Sequence, residues 1–207
     1  RSDSSAASDV YKRQEENTLV SVIASTTRNN LNNSVNPTSG NKLTFGTEQF
    51  VPLGENSPTF NRIRASYSHF IPAKLINLTK ECRSSNSTSE DCPQAIGFQF
   101  KAGTVFGELP PYEAFCMGGT SSIRGWGSCD LAVSKSFIEG TAEYRFPIWK
   151  MLSGALFVDA GSDLGSQKEV PGKPGKLLQK SGSGYSLGGG VGVKTPIGPL
   201  RLDVASK

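Results

Sequence analysis

The sequence has no run of 18 apolar residues, which excludes a membrane-spanning helix. It does not exclude a membrane, because a barrel strand shows lipid only every second side chain. Histidine is nearly missing too, with His69 the single copy. A hydrolytic triad needs a base, a nucleophile and an orienting acid, and no nucleophile elbow accompanies His69. No enzyme, metal or cofactor is therefore expected. Charge is sparse and close to balanced, with 22 Lys and Arg against 18 Asp and Glu spread along the chain. So small a surplus gives nucleic acid no basic footprint.

The opening residues lack the apolar stretch of a signal peptide. "RSDSSAASDVYKRQ" is polar, of low complexity and unlike anything downstream. Residues 1–17 are expected to be a disordered leader foreign to the fold. Residues 18–207 are expected to form one domain cut at both ends, since "GPLRLDVASK" stops inside a strand-like segment.

Glycine and proline are plentiful, 23 and 12 of 207 residues, which suits a β-rich protein with many turns. Alternation with a period of two is the dominant pattern. Ile63, Ala65, Tyr67 and Ile71 oppose Arg62, Arg64, Ser66 and Ser68. Similar alternation covers 94–107, 134–148, 151–161, 184–197 and 199–205, and less cleanly about 18–29 and 41–53. Segments of ten or more residues exceed ordinary globular strands and match tilted transmembrane strands of about 9–11. Tight links such as "PIWKM" and "PIGPL" alternate with long polar ones at 74–93 and 108–133. Short turns on one side and long loops on the other are the habit of outer-membrane barrels. Phe70, Phe106, Tyr144, Phe146 and Trp149 sit near strand ends, as interfacial aromatics would. A soluble sandwich also alternates. Strand length and a second face rich in Arg, Lys and Glu favour the barrel.

"GSGYSLGGGVGVKT" is not a phosphate loop, because Val193 stands before Lys-Thr where that loop needs glycine. Gly188, Gly190 and Gly192 instead share one strand face, a strip on which another segment, a loop, is expected to pack. The run "CMGGTSSIRGWGSCD", Cys116–Asp130, sets Arg124 among small residues. Glu143 and Asp159 both lie on the polar faces of their strands, and a bidentate arginine is the matched partner for an inward carboxylate. On the residues alone, a docked Arg124 and an exposed one on a surface loop stand level. Cys82, Cys92, Cys116 and Cys129 allow three pairings. In an oxidising compartment the local pairs, including Cys116–Cys129, are the natural ones.

Four ordered motifs resemble the outer-membrane assembly and translocation barrels typified by BamA, TamA, FhaC and the chloroplast Toc-type channels. "SIRGW" at Ser122–Trp126 is similar to the family's inward loop motif, with Ile123 and Trp126 as mild departures. "GTAEYR" at Gly140–Arg145, "FVDAG" at Phe157–Gly161 and the closing "GVGVKTPIGPLRLDVA" follow in family order. The "PPYEAFCMGG" lead-in and the cysteines look most like the cyanobacterial and plastid branch. The resemblance implies an all-β antiparallel transmembrane barrel, with these eight segments as strands eight to fifteen of sixteen. It also implies a bacterial outer membrane or plastid outer envelope as location. The partners implied are outer-membrane lipid, unfolded β-barrel clients and accessory assembly proteins. An exporter of the two-partner secretion kind and a passive porin are the rival functions. For the residues, the expectation is a latch: Arg124 docks on Asp159 and Glu143 and holds the loop against Gly188–Gly192. Gly118, Gly119 and Gly125 permit the turns, and Trp126 wedges the loop.

Overall fold

The computed structural model describes residues 19–52, 58–84, 92–172, 179–195 and 198–207. Strands β1 (Leu19–Asn29), β2 (Gly40–Pro52), β3 (Phe60–Pro72) and β4 (Ala95–Gly107) come first. The short β5 (Phe115–Met117) and β6 (Ala132–Ser134) follow, then β7 (Ser136–Trp149), β8 (Leu152–Ser162), β9 (Ser183–Thr195) and β10 (Gly198–Ser206). One antiparallel sheet takes the order β1-β2-β3-β4-β7-β8-β9-β10, while β5 and β6 form their own hairpin. No described helix is long and apolar enough to cross a membrane.

The registers sort side chains into two faces. Tyr144, Leu156, Gly189 and Val204 form one row across β7 to β10, and Glu143, Phe157, Gly188 and Ala205 the next. The first face is apolar and open, with Leu202 and Val204 about three-quarters exposed. Such a surface suits lipid. The second, here the inner face, carries Arg62, Arg64, Lys101, Glu139, Glu143, Asp159 and Asp203, and the segment between β4 and β7 folds over it.

Where alternation was faint, side chains break the rule for local reasons. Thr47 and Gln49 of β2 turn outward beside Asn61 and hydrogen-bond with it. Phe50 turns inward, stacking on Phe60 at 4.0 Å beneath the loop. Phe70 also faces inward, with its ring under the Arg145 guanidinium at 4.8 Å. Expected at the lipid boundary, it instead fills the space over Gly97, where a Cβ would come within 2.6 Å of the ring.

Strand parity corrects another expectation. The links 30–39, 73–94, 150–151 and 196–197 leave one end of the sheet, and 53–59, 108–135 and 163–182 leave the other. The long 73–94 excursion thus shares its end with the tight turns. It is gathered by the Cys82–Cys92 disulfide and a four-residue helix α1 (Lys80–Arg83) capped by Thr79. Gln94 accepts from Leu75 N at 3.1 Å and donates to Ile76 O at 2.6 Å, and Tyr144 donates to it.

Two buried clusters lie between the inner face and its loops. Phe50, Phe60, Val105, Leu109, Phe115 and Val170 form one, and Met117, Ile123, Leu131 and Ala132 the other.

Candidate functional site

The segment 108–135 rises from β4, pairs β5 with β6 and closes with the Cys116–Cys129 disulfide. Beyond the hairpin the chain must turn tightly inside a confined space. Gly118, Gly119 and Gly125 have φ of 108°, 97° and 85°, a region costly for any other residue. At Gly118 a Cβ would meet Gly127 O at 2.5 Å, so space as well as conformation demands glycine. Hydrogen bonds from Gly119 N to Trp126 O and from Ser122 N to Gly119 O, at 3.0 and 3.2 Å, close the turn. Ser122 accepts from Gly118 N at 3.0 Å and donates to Glu139 on β7. Ile123 is buried against Gly161, where a Cβ would lie 2.7 Å from its Cδ1.

Arg124 then reaches the inner face. Its Nε and Nη2 donate to the two oxygens of Asp159 at 2.7 and 2.8 Å, and its backbone N–H adds a third bond at 3.1 Å. Nη1 donates to Glu143 at 3.0 Å and to Asp203 at 3.1 Å. The guanidinium lies over the Phe157 ring, Cζ 3.3 Å from its centroid. One loop side chain thereby meets acids from β7, β8 and β10. Burial opposes the charge of Arg124, but the bonds to Asp159, Glu143 and Asp203 outweigh it and hold its pKa above the ordinary guanidinium value.

Two more arginines complete the cluster. Arg201 donates to Glu143 at 2.8 and 2.7 Å and to Asp203 at 2.7 Å. Arg145, 3.7 Å from Glu143, donates to Asn36 Oδ1 and Pro37 O in the 30–39 link. Three arginines and three acids balance, which a partly desolvated cluster requires.

The glycine strip is not where the loop sits. A Cβ at Gly188 would come within 2.4 Å of the Phe157 ring, at Gly190 within 1.8 Å of Asp203 Oδ1, and at Gly192 within 2.7 Å of Ser153 Oγ. Neighbouring strands fill the strip with their own side chains, and its bareness lets Phe157 and Asp203 lie flat beneath Arg124. The loop instead touches Ala205 through Gly125 and Gly184 through Trp126. Trp126 Nε1 donates to Tyr185 O at 3.2 Å. Asp203 and Arg201 escaped sequence reasoning, although both sit on the polar side of β10. Among the described residues, no His, Cys, Asp and Glu group could hold a metal ion.

The fold resembles the crystal structure of BamA from Haemophilus ducreyi lacking POTRA domains 1–3. The TM-score is 0.64 at 18% identity, covering 90% of this chain and 38% of that one. Outer envelope protein 80, chloroplastic, of Arabidopsis thaliana is 42% identical over 55% of the chain and 15% of its own length. Outer envelope protein 39, chloroplastic, of the same plant is 40% identical over 76% of the chain and 39% of its own. For Protein TOC75-4, chloroplastic, also of Arabidopsis thaliana, identity is 34% over 73% and 36%. The chain thus spans well under half the length of these relatives. With the Omp85 superfamily domain matching residues 1–207 and these identities beside it, the chain belongs to the Omp85 superfamily.

Proposed function

We propose that residues 18–207 are the C-terminal part of an outer-membrane barrel that folds client barrels into the membrane or passes polypeptides across it. The plastid outer envelope is its location, as the names of the chloroplast relatives suggest. Its partners are lipid around the apolar face and unfolded polypeptide, and its work is mechanical rather than catalytic.

Arg124 is the latch in this reading. The observation that carries it is the contact of one loop guanidinium with acids on three separate strands. Such a contact does two things. It keeps the loop inside, and it ties β7, β8 and β10 together from within, so that this part of the wall keeps its shape. Releasing the loop would leave the buried Asp159 without its arginine, with Arg201 remaining to Glu143 and Asp203, a large cost unless other groups replace the contact.

The test is a client-folding assay on the full-length protein carrying Arg124→Ala, with single-channel recording beside it. Slowed client insertion with the barrel still folded supports the latch. Insertion at the normal rate defeats it, and conductance without client folding in the parent protein would favour a porin.

A further inference from the structure

The root of the loop is held by a contact of its own. Glu113 ends the 3-10 turn Pro111–Glu113 and meets Arg62 of β3. Arg62 Nη2 donates to the Glu113 carboxylate and, at 2.8 Å, to the Glu113 carbonyl. Its Nη1 lies 3.4 Å from Glu48 Oε2. The guanidinium stands between two rings, 5.3 Å from the Phe50 centroid and 5.8 Å from that of Phe115. The Arg62 side chain is only 9% exposed.

The polarity is the reverse of that at the tip. At the tip the loop supplies the arginine and the wall the acids, whereas at the root the loop supplies the acid and the wall the arginine. We propose that Glu113 and Arg62 form a second latch, which sets how deep the loop sits in the barrel while Arg124 fixes its tip. This rests on the reading that the loop works while docked inside.

Wall charge supports it. Arg62 and Arg64 stand together on β3, and Glu139, Glu143, Asp159 and Asp203 gather on β7, β8 and β10. The loop thus presents its acid to the basic pair on β3 and its arginine to the acids of β7, β8 and β10. Phe115 alone would give an apolar anchor, since it already packs with Phe50, Phe60, Val105, Leu109 and Val170. Burying an arginine there is costly unless it is paired, and the pairing to both carboxylate and carbonyl of one residue adds direction that packing lacks. The Cys116–Cys129 disulfide closes a ring that starts just after Glu113 and contains Arg124, which limits how independently root and tip can shift.

The experiment uses the full-length protein in lipid vesicles, with Glu113→Gln, Arg62→Met, the double variant and Arg124→Ala. It reads the rate at which added protease cuts within 108–115, with heat-shifted gel mobility confirming the fold. Each single root variant is expected to speed cleavage about tenfold, and the double variant no more than the worse single, because the two residues act through one contact. Cleavage of Glu113→Gln at the parent rate overturns the proposal, as do single effects that multiply in the double. Should Arg62→Met fail to fold, Glu113→Gln at its partly exposed position decides alone. Fast client insertion by Arg124→Ala together with an opened root in Glu113→Gln would sink the tip latch and keep this one. Slowed insertion by Arg124→Ala with an unchanged root would do the opposite.

Discussion

Arg124 is where a single side chain does most. Its planar fork spans both oxygens of Asp159 while Nη1 reaches two further acids, a geometry that a point-charge ammonium cannot copy. Arg124→Ala is expected to cost about 3–5 kcal/mol of local stability, because the buried Asp159 loses its arginine while Glu143 and Asp203 keep Arg201. Arg124→Lys should recover only part of it. Hydrogen exchange at the amides of 122–126 measures both. The glycines of β9 make a sharper test. Gly190→Ala would push Asp203 off its place and cost about 1–3 kcal/mol, whereas Gly46→Ala, with nothing nearer than 3.9 Å, should stay within about 0.5 kcal/mol. Thermal melting in detergent separates them. At this scale the sequence told much: alternation alone put Glu143 and Asp159 on polar faces. Asp203 was equally placed, but nothing in a linear pattern says that a bare Gly190 beside it leaves room to lean toward Arg124.

The loop 108–135 is the element that matters, and its ordering rests on a staple as well as on ion pairs. Cys116–Cys129 closes a span of 13 residues within it. Cys116→Ser removes that constraint from the unfolded chain and is expected to destabilise the loop by about 3 kcal/mol. Faster exchange throughout 116–131, with the strands β7 to β10 unaffected, is the expected signature. Strands were legible because eight stretches obey one period, and their bounds lie within a residue or two of the alternation. Placement of the links was not. Composition marks 73–94 and 108–135 alike as long and polar, yet counting strands puts them at opposite ends of the sheet. Phe70 misread for a related reason: an aromatic near a strand end can serve lipid or core, and only its neighbours across the sheet, here Gly97 and Arg145, decide.

For the molecule as a whole, the two faces of the sheet demand two solvents. Tyr185, Leu187, Leu200, Leu202 and Val204 stand open on one side, where water would penalise them and lipid would not. Leu202→Arg is expected to cost about 2–4 kcal/mol near the bilayer middle. Gln99→Arg, on the inner face, should cost far less. Urea titration of folding in vesicles gives both values, and equal costs would argue against a lipid-facing surface. β1 and β10 each pair on one side only among the described residues. Unpaired edges of that kind attract further strands.

The measurement that bears most directly on the central claim is a cryo-EM map of the full-length protein in a lipid nanodisc. The account predicts density for 118–131 inside the barrel, with the Arg124 guanidinium in hydrogen-bonding range of Asp159. A map with that loop tip out in solvent, away from Asp159, Glu143 and Asp203, would contradict it.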